Sequence, residues 1–174
     1  MQSAYLAPVI DRRFPTALQV MQSLVLMERE GRPWVSSGEF ASYFRVNPTL
    51  MRRLLTTLVQ HGLLQSQMGR NGGVRLARKA ELISLRDIYQ AAVADKKLWT
   101  PRTDIPHRCT VSRNFERFFE KLESAADLAL TDMLAQRSLA ESFMELEGLE
   151  SLQAIATASS SRTHEERQRS SAFV

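Results

Sequence analysis

Cysteine is almost missing from this chain: Cys109 is the only one in 174 residues. One thiol can neither close an intramolecular disulfide nor build a cysteine-cluster zinc site, so the fold must rest on packing alone. No apolar run approaches the ~20 residues needed to cross a bilayer, and the N-terminus lacks the basic flank and apolar core of a signal peptide. A cytoplasmic protein with no membrane partner is therefore expected. There is no phosphate-binding glycine loop ending in Lys-Ser/Thr, and no serine or cysteine lies in a recognisable nucleophile motif beside a histidine. An enzyme is not expected, and no catalytic or metal-binding residues are assigned. Glycine is scarce too, with seven in all, yet three of them fall between Gly69 and Gly73.

The formal net charge is only +4, but it is unevenly placed. Between Ser36 and Ala80, Arg45, Arg52, Arg53, Arg70, Arg75, Arg78 and Lys79 face a single acidic residue, Glu39. That segment carries +6 and the remainder −2, a local excess suited to an anionic polymer. A merely solvated basic surface is the competing explanation of charge alone.

Apolar residues at three- and four-residue steps predict a helix from Phe14 to Glu30, stopped by Gly31. Pro33-Trp34-Val35 is short and β-prone. Ser36-Ser37 then offers an N-cap for a brief second helix through Phe44. Arg45-Val46 makes a turn, Asn47 caps a third helix and Pro48 suits its first position. Leu50, Met51, Leu54, Leu55, Leu58 and Val59 form its expected buried stripe, with Thr49, Arg52, Arg53 and Thr56 opposite and Gly62 at its end. Helix, tight turn and helix with a basic outer face is the helix-turn-helix pattern.

Two short alternating runs, Leu63 to Ser66 and Val74 to Arg78, flank the glycine loop and predict a β-hairpin, the wing. Arg70 and Asn71 lie at its tip and Arg75 on its second strand. Ser84 and Asp87 open a further helix ending near Asp95. Residues 96–110 form a loop carrying His107 and Cys109. A long helix from Val111 to Arg137 follows, with Phe115, Phe118, Phe119, Leu122, Ala126, Leu130, Met133 and Leu134 on one side. It is too long for the small N-terminal domain to cover, and the economical partner is its own copy in a two-fold dimer. A shorter helix, from Leu139 to Ala156, is expected to pack behind it. The polar tail 158–174 is expected to be disordered.

Five segments taken in order resemble the Rrf-type (Rrf-two) family of bacterial regulators, which includes the iron–sulfur cluster assembly regulator and the nitric-oxide-sensitive repressor. They are Ser36 to Ala41, Asn47 to Leu55, Gly62 to Leu64, Gly69 to Gly73 and Leu85 to Tyr89, and the likeness extends over residues 10 to 135. The resemblance implies a mostly α winged helix-turn-helix (1–95), a cysteine loop (96–110) and a dimerisation region (111–157). It also implies a third helix in the major groove and a wing near the minor groove. Cluster-bearing relatives usually carry three cysteines in the loop before the dimer helix. Here only Cys109 stands there, matching the last of the three, so no cofactor is expected.

The expected function is a homodimeric repressor on double-stranded DNA with a pseudo-palindromic operator. Its DNA face would comprise Ser36, Ser37, Asn47, Pro48, Thr49, Arg52, Arg53, Arg70, Asn71 and Arg75. Arg52 is placed on a base and Arg53 on a base or a phosphate. Cys109, near Arg108, Arg113 and His107, is open to three readings: a redox-responsive thiol, a semi-buried small residue at the start of the dimer helix, or part of a metal or cluster site shared between two subunits with outside ligands such as His107. A winged-helix protein-interaction module and a regulator answering to a small-molecule effector are the alternatives.

Overall fold

The computed structural model describes residues 11–32, 34–69, 72–93, 99, 106 and 109–153. The expected wing tip (Arg70, Asn71), most of the 96–110 loop and the tail 158–174 lie outside them. Among the described residues, six α-helices and one hairpin run in the order α1 (Arg13–Arg29), α2 (Ser37–Tyr43), α3 (Pro48–Gln60), β1 (Leu64–Gln67), β2 (Gly73–Leu76), α4 (Leu85–Val93) and α5 (Thr110–Ala135), with a short 3-10 turn at Ala80–Leu82. The last, α6, covers 139–153.

The N-terminal core forms where α1, α3 and α4 turn their apolar faces toward one another. Met21 and Leu24 of α1, Met51 and Leu58 of α3 and Ile88 of α4 are all essentially inaccessible to solvent, each burial contributing ~1.5–3 kcal/mol. The hairpin closes one side, with Leu64 opposite Leu76 and Gln67 opposite Gly73. Val35 adds a third edge to it: its N–H donates to the Val74 carbonyl at 3.0 Å and its carbonyl accepts from the Val74 N–H at 2.9 Å. This exchange anchors the wing to the chain entering α2.

Gly73 makes that approach possible. A Cβ on it would stand 2.3 Å from the Val35 carbonyl oxygen. Gly73→Ala is therefore expected to cost ~1–3 kcal/mol, as overpacking does elsewhere, and to detach the wing. Thermal unfolding checks the loss, and an unchanged melting temperature contradicts the anchoring role.

Both C-terminal connections are held by capping boxes. The Ser84 N–H donates to Asp87 and the Asp87 N–H to the Ser84 hydroxyl, each at 3.1 Å. Ser138 and Glu141 do the same for α6 at 2.7 and 3.1 Å, a pattern visible in the sequence as Ser-x-x-Glu. The two caps lie side by side, with the Leu85 N–H donating to the Arg137 carbonyl and the Leu139 N–H to the Ile83 carbonyl.

α6 departs from expectation. It packs on α1 rather than behind α5: Gln22 donates to Ser142 at 3.2 Å, Arg29 pairs with Glu147 at 2.8 Å, and the Arg29 guanidinium stacks 4.7 Å from the Phe143 ring. Leu139 and Phe143 thereby complete the N-terminal core. Among the described residues no helix is long and apolar enough to cross a membrane.

Candidate nucleic-acid interface

α2 and α3 owe their relative placement to two caps and a tight turn. Ser36 accepts the Glu39 N–H at 3.1 Å. Asn47 accepts the Thr49 N–H at 2.8 Å, and Pro48 fills the first helical position. Between them the chain turns with the Val46 N–H donating to the Ala41 carbonyl and with Arg45 at φ +52°. Met51, Leu55 and Leu58 are buried, leaving Thr49, Arg52, Arg53 and Thr56 as an exposed ridge. Leu50, expected in the buried stripe, is 60% exposed. Its position, one residue before Met51, turns it onto the flank of the helix.

Arg52 and Arg53 form no side-chain hydrogen bond or ion pair among the described residues, so their guanidinium donors are available to a ligand. The expected contacts around them differ in freedom. Ser36 and Asn47 use an acceptor oxygen for capping, which leaves the Ser36 hydroxyl hydrogen and the Asn47 amide N–H groups as donors. Ser37 is half-buried and joins Arg52, Thr56, Ser66 and Gly73 along a groove between α3 and the hairpin. Arg75 is partly committed: Nε and Nη2 donate to Gln65 at 3.1 and 3.0 Å, and its guanidinium lies 4.7 Å from the Trp34 ring. Its Nη1 donors remain. Gly69, at φ +114°, starts the turn into the wing tip in a conformation that suits glycine.

Cys109 stands at the N-cap of α5. It is exposed in the single chain. The Ser112 N–H and hydroxyl and the Val111 N–H, in that order, pull its thiol below the ordinary cysteine range, as a helix N-terminus does for a thiolate. Of the expected basic neighbours, His107 and Arg108 lie outside the described residues, and Arg113 is not among the causes of the shift. Alkylation by iodoacetamide should therefore reach half its plateau rate at a lower pH than for free cysteine. Ser112→Ala, which keeps the backbone N–H, should move that midpoint partway up, and an unshifted midpoint contradicts the assignment.

α5 spans 26 residues, about 39 Å. Phe115, Phe118, Leu122 and Met133 are exposed along one side of it, and Val111 lengthens that apolar face. Phe119 is half-buried, stacked on Phe115 at 5.5 Å and edge-on to Trp99 at 6.2 Å. Ala126 is half-buried as well. Leu134, expected on the same face, is buried in its own chain's core with Leu130 packed against that core. The face open to another molecule therefore ends at Met133.

Sequence reasoning missed one grouping. Arg12 and Arg13 at the start of α1 meet Arg45 and Arg53 across a second groove on the other flank of α3. Nothing in linear order brings these positions together.

A family model described as Rrf2, iron-dependent transcriptional regulator, matches residues 10–144. YwnA of Bacillus subtilis, named as an HTH-type transcriptional regulator, is 24% identical over 131 residues, covering 75% of this chain and 94% of that protein. The crystal structure of a transcriptional regulator from Lactobacillus plantarum superimposes with a TM-score of 0.65 at 21% identity, over 85% of this chain and 98% of that one. CymR, the global cysteine regulator of B. subtilis, gives 0.54 at 17% identity, over 79% and 98%.

Proposed function

The chain belongs to the Rrf2 family of transcriptional regulators, and from that premise we propose that it acts as a homodimeric repressor reading a pseudo-palindromic operator through α3. The exposed ridge of Thr49, Arg52, Arg53 and Thr56, with both arginines free among the described residues, carries this reading. An arginine in the first turns of such a helix can grip guanine O6 and N7 with two hydrogen bonds. The hydroxyl of Ser36, the amide of Asn47 and the wing with Arg75 lie where they can fix register on phosphates, and Pro48 and Thr49 begin the helix that enters the groove. The exposed apolar face from Val111 to Met133 supports pairing of two α5 helices. A compact dimer on its operator obstructs polymerase without any activating surface, which favours repression.

Iron is implied by the family description, and the donors here do not fit a centre built by one chain. Cluster irons are held mainly by thiolates, Cys109 is the only cysteine, and among the described residues no three of His, Cys, Asp and Glu gather. A cluster held by one chain is therefore not proposed, and the exposed Cys109, held toward its thiolate, is proposed as the redox-responsive group. Cys109→Ser with unaltered operator binding under peroxide contradicts that role.

Titrating salt against DNA affinity tests the DNA assignment. The logarithm of the association constant should fall linearly with log salt, by ~0.9 for each phosphate neutralised. Binding insensitive to salt would instead indicate a protein-interaction module.

A further inference from the structure

The groove on the outer flank of α3 combines features that a DNA-facing surface does not need. It is a half-open groove of about 660 Å³ between the start of α1 and α3, within the range of small-molecule sites. Its floor is apolar: Met51 is buried, Val46 and Leu54 are half-buried, and Leu50 is 60% exposed above them. Its rim is cationic. Arg12, Arg45 and Arg53 form no side-chain hydrogen bond or ion pair among the described residues, whereas Arg13 is bound to Asp11. Thr16 and Thr57 also line it, each hydroxyl donating to a backbone carbonyl of its own helix. Among the described residues no acidic one lines the groove.

Arg45 adds an independent sign. Its φ of +52° makes it the only non-glycine residue at positive φ among the described residues. Glycine or asparagine would adopt that conformation at lower cost. A strained residue whose side chain lines a groove points to use of the side chain.

We propose that this groove binds a small amphipathic anion, a carboxylate or phosphate carried on an apolar body, and that its occupation weakens operator binding. The apolar body rests on Leu50, Val46 and Leu54, and the anion takes the guanidinium groups of Arg12, Arg45 and Arg53. Charge complementarity selects an anion. The apolar floor selects a ligand with a hydrophobic part, since a DNA phosphate would leave Leu50 against water or polar backbone. Coupling follows from shared residues, because Arg53 belongs both to the groove and to the DNA-reading ridge. That second half rests on the assignment of α3 to DNA, while direct binding does not, so the two can fail separately.

Decanoate serves as the probe in calorimetric titration of the full chain, with decyltrimethylammonium as the tail-matched cation. The expected result is saturable binding of decanoate at one site per chain and none of the cation. Leu50→Asp and Arg12→Ala/Arg45→Gly should each weaken decanoate binding at least tenfold. Arg45→Gly relieves the backbone, so the melting temperature should not fall and lost binding cannot be put down to misfolding. Decanoate should also lower operator affinity by about 5- to 150-fold, the ordinary range of coupling between sites. Non-saturable binding or equal binding by the variants overturns the site, and binding that leaves operator affinity unchanged overturns its coupling to DNA. So does a salt slope reduced by ~2 in Arg12→Ala/Arg45→Gly with decanoate binding intact, which would make these arginines phosphate contacts.

Discussion

Leu122→Glu is expected to turn the protein into a monomer while its winged domain stays folded, and to lower operator affinity by ~10²–10⁴-fold, the advantage that two linked sites hold over one. Leu122 is 49% exposed in the single chain, between Phe118 at 62% and Met133 at 53%. A charge there costs the isolated chain little, because water still reaches it. Across a packed α5 pair the same carboxylate would face its two-fold mate without a counter-ion, and burying such a charge is costly. Sedimentation measures the association state and near-unchanged thermal unfolding of the winged domain excludes a folding defect. A dimer that persists would place the interface elsewhere, with Met144, Leu149 and Leu152 of α6 as the other exposed apolar surface.

The second large effect belongs to Arg52. Its alanine variant should lose ~1–3 kcal/mol of discrimination at one base position in each half-site, about 5- to 150-fold in preference, with much smaller change on unrelated DNA. The reason is geometric. Arg52 lies on the exposed ridge, with no competing partner among the described residues, so its planar fork is free to match guanine. Affinities of the variant for the operator and for single-base changes measure this directly. Uniform weakening across all sequences would assign Arg52 to a phosphate instead.

The α2–α3 region was legible in the sequence because its signals are local. Asn47-Pro48 sets the start of α3, and apolar residues at three- and four-residue steps set the face that meets α1 and α4. The edge of that face was not legible. Leu50 is apolar like its neighbours, but a rotation of about 100° per residue carries it past the core onto the groove. Periodicity likewise could not distinguish Phe118 from Leu134. Both continue one stripe on α5, yet only Leu134 joins the chain's own core. The partner of α6 was hidden for the same reason, since the Arg29–Phe143 stack joins residues with no sequence relation. Arg12, Arg45 and Arg53 fall in three separate elements, and only the fold assembles them. For Cys109 the sequence located the residue but not the hydrogen bonds from the first turn of α5 that draw the thiol down.

The central claim, a two-fold DNA reader with α3 as its recognition helix, is tested most directly by selecting bound sequences from a random double-stranded pool with the full-length protein and with Arg52→Ala. The expected result is an inverted repeat whose half-sites lie about one helical turn, ~10 base pairs, or a multiple apart, with information lost symmetrically at one position per half-site in the variant. A pool with no enriched sequence, or an enriched site that Arg52→Ala selects equally well, would contradict it.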